Sequence, residues 1–300
     1  VDPLYCSIPF FIKISKGKVQ GFFINFPGKI KIDAGVSIYD QISCLVYSSS
    51  FCIYAFEGQN PDDIVMAYSR ITGLPFRLPD WALEHQISRY SYYPGEHILE
   101  ILKKYQEAFG KESVGSIYLD IDYMQDYKIF TYDPIKFGNM KDFIDRAHEM
   151  NVKVIPIIDP GIKIDQDYDI FKEGLGNYVE TPKGNIFSGI VWPGSCAFPD
   201  FFKRSAAEFW KREIESFMKN GFDGIWLDMN EPSVQNEENK KILENMIHSI
   251  GGNSVNHVDV HNAYALAEAK ATYEAIGENR FILSRAGYAG IQEICGCMVW

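Results

Sequence analysis

One stretch of the chain joins a buried strand to residues suited to catalysis: Phe222 to Ser233, which reads FDGIWLDMNEPS. Its first half is apolar and of strand length, whereas its second half carries acid and amide groups. Because side chains alternate along a strand, Trp226 and Asp228 share one face, which places an indole beside a carboxylate at the carboxyl end. This arrangement suits sugar binding, and an ionised Asp suits covalent attack. The alternative, that Asp228 only caps the next turn, leaves the adjoining polar residues unexplained.

The composition of the 300-residue chain excludes several classes of protein. A hydrophobic content of 46% supports a large core, the size of one α/β barrel or two smaller domains. The net charge of −11, without a Lys/Arg cluster, opposes binding to nucleic acid or to an anionic membrane. The longest uncharged stretch, Gln41 to Phe56, is short for a membrane span and is typical of strands. The expected partner is a small neutral molecule, and a homo-oligomer is left open.

The cysteines and histidines show no metal-site signature. The six cysteines lie in apolar stretches without a CxxC pair, which predicts buried thiols, with a Cys295–Cys297 redox pair as the alternative. His257 and His261 are four residues apart, but HExxH is absent, so neither a metal nor a cofactor is expected. The chain shows no signal peptide and no Asn-x-Ser/Thr sequon, which favours a cytoplasmic location. A leader peptide ahead of the given sequence remains an alternative, because the first residues already belong to a pattern of short strands.

The order of elements predicts an all-β region followed by an α/β barrel. Residues 1–60 consist of short strands separated by turns, which is typical of the closing part of a β-sandwich. Residues 61–80 form a helix and a Pro-containing connection. From residue 81 to residue 300 strands and helices alternate, as in parallel βα units. We therefore predict a TIM (β/α)8 barrel that is truncated at its C-terminal side, with four complete βα units and two further strands.

Individual elements follow from apolar periodicity and capping residues. The barrel strands are predicted at ALEHQISRYSY, GSIYLDID, VKVIPIID, the Asp228 strand, RFILSR and ICGCMVW. The helices are predicted at Pro61 to Gly73, Gly95 to Phe109, Met140 to Met150 capped by Asn139, Asp200 to Asn220, and Asn262 to Ile276. Residues 160–199 and 233–259 are predicted to be insertions, the second with a short helix near residues 240–250.

Polar residues end each of the first five predicted barrel strands. They are Ser88, Arg89 and Tyr90 after the first strand, then Asp120 and Asp122, then Asp159, then Asp228, then Ser284 and Arg285. TIM barrels carry their function at the carboxyl ends of the strands, so these residues predict one pocket rich in carboxylates and hydroxyls. A nucleophilic Asp228 must stay ionised, and Arg285 is the predicted counter-charge.

The string WLDMNEP resembles the signature of glycoside hydrolase family 31, the α-glucosidase and α-xylosidase family. Similar motifs run through much of the chain from Leu78: LPDWALEHQISRYSY, IYLDIDYM, PIIDPGI, VWPGSCAFPDF, HNAYALAEAKATYEA and SRAGYAGIQ. Departures are Glu84, where the family usually has Gly, and the segment Glu293 to Cys297. The resemblance implies a catalytic barrel that follows an N-terminal β-sandwich.

The resemblance also implies roles for the matching residues. Asp228 would be the nucleophile and Glu231 a supporting residue. Together with the strand interpretation, it gives the substrate-binding set as Asp120, Asp122, Ile157, Trp192, Trp226, Met229 and Arg285. The general acid/base of the family is an Asp in a Gly-Asp-Asn motif that follows the strand corresponding to CMVW. That residue is expected just after Trp300.

The expected function is that of a retaining α-glucosidase acting on maltose-like oligosaccharides or short α-glucans. Asp122 favours glucose over xylose, because family α-xylosidases tend to carry bulky residues that crowd the space of the hydroxymethyl group. An α-xylosidase, an α-transglycosylase and an α-glucan lyase stay open, since they share the nucleophile. The rival from another class is a catalytically inactive glycan-binding or interaction module. The retained Asp228, Asp120 and Arg285 argue against it.

Overall fold

The structure of the protein, a computed structural model, describes residues 5–235, 245–277 and 280–297. Its first part is antiparallel and without helix from Phe10 to Gly58, as predicted. The strands there are β1 (Phe10–Ser15), β2 (Lys18–Asn25), β3 (Ile30–Ala34), β4 (Ile42–Val46) and β5 (Cys52–Gly58). One sheet has the order β1-β2-β5, and β3 pairs with β4 as a separate hairpin.

Helix α1 (Pro61–Thr72) follows this region and packs against it. Its start is a capping box, because the Asn60 side chain accepts from the Asp63 N–H while the Asp63 carboxylate accepts from the Asn60 N–H. Ile64 is fully buried, and it fits against β2 only because Gly21 has no side chain at the point of closest approach. The predicted helix at residues 61–73 is thus confirmed to within one residue.

Eleven further strands follow in the part of the chain that the structure describes, and six of them form one parallel sheet. They are β6 (Gln86–Ile87), β7 (Ser116–Leu119), β8 (Lys153–Ile158), β9 (Ile162–Lys163), β10 (Ser188–Val191), β11 (Gly194–Ala197), β12 (Gly224–Leu227), β13 (Ile247–Ile250), β14 (Asn253–Asn256), β15 (Phe281–Ser284) and β16 (Gly296–Cys297). The parallel sheet has the order β16-β15-β12-β8-β7-β6. It curls as part of a TIM barrel, which confirms the predicted fold class.

Within the described residues, six helices accompany the barrel strands and the insertions. They are α2 (Gly95–Phe109), α3 (Pro134–Phe137), α4 (Met140–Glu149), α5 (Asp169–Glu173), α6 (Arg204–Phe217) and α7 (His257–Ile276). Asn139 caps α4 as predicted, since its side chain accepts from two N–H groups of the first turn. Helices α6 and α7 pack together, and the Trp210 indole of α6 donates to Thr272 of α7 at 2.9 Å. Their apolar faces cover the sheet, and one continuous core results.

The first barrel strand is much shorter than predicted. Only Gln86 and Ile87 pair with β7, because residues Asp80–Leu83 form a 3₁₀ turn and the chain leaves the sheet after Ile87. Pro156, by contrast, does lie in an inner strand: β8 pairs with β7 on one side and β12 on the other.

Three other predictions need correction. Helix α7 begins at His257, five residues before the predicted start, directly after the β13–β14 hairpin. Part of the predicted helix near residues 240–250 is strand β13, and residues 236–244 lie outside the described residues. The thiols of Cys44 and Cys52 are exposed, because their strands present an uncovered face, whereas Cys196 and Cys295 are buried as predicted.

Candidate active site

Strand pairing brings Asp228 and Arg285 together. Asp228 follows β12 and Arg285 follows β15, and these strands pair in parallel with Leu227 opposite Ser284. The Asp228 N–H donates to the Ile158 carbonyl at 3.1 Å, and the Arg285 N–H donates to the Leu227 carbonyl at 2.9 Å. Both backbones are therefore fixed by continuations of the ladder. The side chains meet with Arg285 Nε 3.4 Å from Asp228 Oδ1, as the sequence predicted.

Glu231 binds the same guanidinium more closely than Asp228 does. Arg285 donates from Nε to Glu231 Oε1 at 3.0 Å and from Nη2 to Oε2 at 2.7 Å. This two-point contact fixes the plane of the guanidinium. The Tyr5 ring packs against the same guanidinium, with its centroid 4.6 Å from the guanidinium carbon. Glu231 thus fixes the orientation of Arg285, whose Nε also lies 3.4 Å from Asp228 Oδ1.

Asn230 locks the turn that separates the two carboxylates. It is fully buried, donates to Ser284 Oγ at 2.9 Å and accepts from the Ala286 N–H at 3.0 Å. Ser284 in turn donates to the Ala286 carbonyl at 2.7 Å. Met229 adopts a left-handed backbone with φ of 54°, a conformation that a non-glycine residue adopts only under such constraint. The Asp228 to Glu231 turn is therefore held to the end of β15.

Burial raises the pKa of three carboxyl groups at this rim. For Asp228 burial is the largest cause, and the charge of Arg285 opposes it. For Asp159 burial, followed by the nearby Asp228, raises the pKa well above the ordinary value. For Asp120 burial is again the largest cause of the raised pKa, and the charge of Asp122 raises it further. Since Asp120 also raises the pKa of both Asp228 and Asp159, these three carboxylates share one site.

Asp120 and Asp122 differ in what they offer a ligand. Asp120 ends β7 and caps the turn Ile121–Tyr123, with Oδ1 accepting from the Ile121 N–H at 2.7 Å. Asp122 is buried, and its Oδ1 accepts from the Tyr127 hydroxyl at 3.1 Å. Each carboxylate thus uses Oδ1 within the protein, Asp120 for its own turn and Asp122 for a neighbouring tyrosine, and Asp122 is the more buried of the two.

The predicted apolar and aromatic contacts lie in different places. Ile157 on β8 is directly opposite Trp226 on β12, and both are buried. Trp226 packs edge-on against Tyr118, with ring centroids 6.0 Å apart. Trp192 is not positioned by the barrel strands: it occupies the turn between β10 and β11 and is 43% exposed.

Sequence reasoning missed a buried acid next to this site. Glu268 on α7 is fully buried, and burial raises its pKa well above the ordinary value, although contact with Asn230 opposes the shift. A Glu side chain is almost always exposed unless it is paired, so no sequence signal pointed to Glu268. In the described ranges, no group of three or more His, Cys, Asp or Glu side chains could hold a metal ion. Of the helices that the structure describes, none is long and apolar enough to span a membrane.

The family model for the glycosyl hydrolases family 31 TIM-barrel domain matches residues 75–300. The chain belongs to glycoside hydrolase family 31. That family membership accords with the arrangement of Asp228, Glu231 and Arg285 at the ends of β12 and β15, where a TIM barrel carries its active site.

Two curated relatives are similar over nearly the whole chain. An α-glucosidase of Saccharolobus solfataricus is 40% identical over 97% of this chain and 45% of its own length. α-Glucosidase 2 of Bacillus thermoamyloliquefaciens is 36% identical over 100% of this chain and 38% of its own. The chain therefore spans less than half the length of these relatives.

Solved family 31 structures share the fold. A family 31 α-glucosidase from Bacteroides thetaiotaomicron superposes with a TM-score of 0.81 at 29% identity, over 98% of this chain and 48% of that one. A dextranase from Flavobacterium johnsoniae, complexed with glucose, superposes with a TM-score of 0.86 at 26% identity, over 99% of this chain and 36% of that one.

Proposed function

We propose that the protein containing this chain is a retaining α-glucosidase that releases terminal α-linked glucose from maltose-like oligosaccharides or short α-glucans. The observation that carries the proposal is the half-buried Asp228 carboxylate at the end of β12, with Arg285 Nε 3.4 Å away. The names of the two curated relatives, both α-glucosidases, support the reaction class.

In the first step, Asp228 attacks the anomeric carbon of the terminal glucose. A bond forms between a carboxylate oxygen and that carbon, while the bond to the leaving oxygen breaks and that oxygen takes a proton from a general acid. Arg285 favours the ionised, attacking form of Asp228, and Glu231 keeps the guanidinium in place. We assign the general acid to no described residue, since the family resemblance expects it just after Trp300.

In the second step, water attacks the glycosyl ester and glucose leaves with its original anomeric configuration. The residue that protonated the leaving group now removes a proton from the water. Asp228 is released as a carboxylate, again facing Arg285. The cycle uses no cofactor.

Glucose recognition rests on Asp120 in this proposal. It is a carboxylate at the same rim, with one oxygen used by its own turn and the other left for a sugar hydroxyl. Ile157 and Trp226 form the apolar floor beside it, where a sugar ring can stack. Trp192 is assigned to the same subsite by family resemblance, and its exposed turn would then cover the ring.

A substrate panel on the full-length protein tests the proposal. α-Glucosides and α-xylosides are supplied side by side, and NMR follows the anomer that forms first. We expect α-glucose from maltose and little xylose. A β-anomer, an unsaturated anhydro sugar or a transferred glycan would each reject the hydrolytic retaining reaction. Sugar binding without any turnover would instead support the glycan-binding module.

A further inference from the structure

A tyrosine from the first described segment lies against the guanidinium of Arg285. The guanidinium carbon is 4.6 Å from the centroid of the Tyr5 ring, within the distance at which an aromatic ring attracts a cation. Only 12% of the Arg285 side chain is exposed, so the cation in this contact is largely withdrawn from water. The attraction between ring and cation is stronger there than at an open surface. The ring therefore helps to hold the cation in place.

The backbone next to Tyr5 is joined to the loop that follows β15. Cys6 forms a parallel bridge with Gly287 in that loop. Tyr288 is buried, and its ring centroid lies 6.4 Å from that of Phe23 on β2, so the same loop also packs against the all-β region. The segment that carries Tyr5 is thus held at the end of β15 by backbone pairing and not by the ring alone.

The Tyr5 ring and Glu231 restrain the guanidinium in different ways. Glu231 accepts from Nε of Arg285 at 3.0 Å and from Nη2 at 2.7 Å, and Nε also lies 3.4 Å from Asp228 Oδ1. Nε is therefore shared between two carboxylates, and Glu231 is the closer one. A small movement of the guanidinium toward Glu231 would lengthen the contact with Asp228. The ring opposes such a movement, because it contacts the guanidinium carbon and uses none of the N–H groups.

The ring also limits the water around this cation. It occupies space that water would otherwise fill, and the attraction between opposite charges grows as water is excluded. Arg285 favours the ionised form of Asp228, which is the form that attacks. The other titratable groups that face Asp228, namely Asp120, Asp159 and Glu231, are acids and act in the opposite direction. The ionised nucleophile thus depends on how closely Arg285 is held.

We propose that Tyr5 is a positioning residue for the glycosidase reaction: its ring holds the Arg285 guanidinium beside Asp228 and shields that cation from water. This inference rests on the proposed function. Tyr5 lies outside residues 75–300, the part of the chain that matches the family model for the barrel. The ring is the working group, so the hydroxyl is dispensable. The alternative for a ring that is 42% exposed is to stack on a sugar, which would change KM instead of kcat.

The first test compares Tyr5→Leu with Tyr5→Phe in the full-length protein. A mechanism-based cyclitol label counts the active sites, so that a poorly folded fraction does not enter the rates. In Tyr5→Leu, kcat per labelled site on maltose should fall about three- to tenfold with KM within about twofold, as loss of one contact between a ring and a cation allows. The acid limb of the kcat/KM profile should move to higher pH, because the ionised Asp228 loses support from Arg285. Tyr5→Phe keeps the ring and should match the parent.

Tyr47→Leu is the matched control. Tyr47 is another tyrosine of the all-β region, is 50% exposed, and has its ring centroid 5.3 Å from Nζ of Lys29. The substitution therefore removes the same type of contact at a place away from Asp228. Its kcat, KM and pH profile should match the parent.

Combination with Arg285→Gln separates an effect through Arg285 from a direct effect on the sugar. An activated aryl α-glucoside serves as the substrate, so that low rates stay measurable. If Tyr5 acts through the guanidinium, adding Tyr5→Leu to Arg285→Gln should change kcat/KM by less than about twofold, because the cation is already absent. Equal effects of Tyr5→Leu with and without Arg285 would overturn the inference.

A role in packing or in sugar stacking would give a different pattern. An effect confined to KM, an equal loss in Tyr5→Phe, or an unmoved acid limb in Tyr5→Leu would each overturn the inference. Failure of the proposed function is distinguishable, because the cyclitol label would then not attach to Asp228 of the parent. If the label attaches there while Tyr5→Leu behaves as the parent, the inference on Tyr5 alone is wrong.

Discussion

Strand β12 is flanked by one carboxylate at each end, and the two carboxylates differ in how many partners they contact. Asp223, before the strand, contacts His148 Nε2 at 2.7 Å and Lys153 Nζ at 3.1 Å, and it accepts from the Val154 N–H at 3.0 Å. Asp228, after the strand, has its cation at 3.4 Å, and that cation is bound more tightly by Glu231. One carboxylate is fully partnered, whereas the other retains unused acceptor capacity.

In the proposed reaction, this difference separates a stabilising carboxylate from the reactive one. Three contacts at Asp223 tie α4 and β8 to β12, which fixes the strand at the amino end of the sheet. At the carboxyl end, the contacts of Asn230, Glu231 and Ser284 fix the surroundings of Asp228 and leave the carboxylate itself weakly held. A nucleophile needs that combination, because a rigid frame aims it while a tight ion pair would hold it in the ground state.

Replacing each carboxylate with its amide is the most direct test of the difference between Asp228 and Asp223. Asp228→Asn should lower kcat of the full-length enzyme by about 10⁴-fold or more, because an amide cannot form the glycosyl ester. Asp223→Asn should keep kcat near the parent value and instead lower the free energy of unfolding by about 1–3 kcal/mol, since His148 and Lys153 lose their charged partner. Maltose hydrolysis and thermal unfolding measure the two effects.

A mechanism-based label gives the independent check on Asp228. Peptide mapping of the labelled parent should find the cyclitol on Asp228. A label on Asp120 or Glu231 would show that the nucleophile has been assigned wrongly, and equal loss of kcat in both amide variants would abolish the distinction between the two ends of β12.

Removal of the shared cation should have the next largest effect. Arg285→Gln leaves the buried Glu231 unpaired and takes the positive charge from Asp228, so kcat/KM should fall by about 2–5 kcal/mol of transition-state stabilisation, roughly 30- to 4000-fold. The pKa of Asp228, already raised by burial, should rise further. Because Asp228 acts in its ionised form, the acid limb of the kcat/KM profile should move to higher pH.

Arg146→Gln is the control for that experiment. Arg146 also makes a two-point contact with a glutamate, Glu96, but on an exposed surface between α2 and α4. Such a pair contributes little, and the pH profile of this variant should overlay that of the parent. An unmoved acid limb in Arg285→Gln would mean that Arg285 does not tune the nucleophile.

The strand ends were predictable from sequence, whereas the contact between Glu231 and Arg285 was not. Apolar runs followed by Asp120, Asp228 and Arg285 placed these residues at one edge, because parallel strands end together. The sequence also paired Arg285 with Asp228. The sequence did not predict that both Nε and Nη2 of Arg285 donate to Glu231, because that contact depends on the left-handed turn at Met229.

A set of buried polar contacts among Asp200, His248 and His257 was hidden for a different reason. Asp200, His248 and His257 come from three segments, and only the fold of the β13–β14 hairpin onto α7 brings them together. The spacing of His257 and His261 drew attention to a metal, but the partner of His257 is nine residues earlier in the chain. Periodicity reports which face is buried and carries no information on such polar pairings.

Asp120→Ala tests whether Asp120, which lies at the same rim as Asp228, contributes to substrate binding. Loss of a charged hydrogen bond to a sugar hydroxyl should lower kcat/KM on maltose by about 1.5–3 kcal/mol, roughly 10- to 150-fold. Asp145→Ala, which removes an exposed carboxylate paired with Lys141 on α4, should leave kcat/KM unchanged. Parent-like kinetics of Asp120→Ala on maltose would exclude Asp120 from the glucose subsite.

The smallest expected effect concerns Asp159, a third carboxylate at the carboxyl edge. It is fully buried, its Oδ1 meets no partner within the described ranges, and its pKa is well above the ordinary value because of burial and Asp228. Since the pKa is higher in the folded chain than in the unfolded chain, folding stability falls as pH rises from the ordinary carboxyl range through that raised pKa.

Asp159→Asn removes the group that must ionise. The variant should match the parent near pH ~4 and exceed its stability at pH ~8 by about 1 kcal/mol, roughly 2–4 °C in Tm. Asp223→Asn should show the opposite sign at pH ~8, because there a partnered carboxylate is lost. Thermal unfolding at the two pH values measures both. A loss of stability in Asp159→Asn that grows with pH would show that Asp159 is an ionised carboxylate with a partner. The difference between the two edges of the sheet would then depend on Asp228 alone.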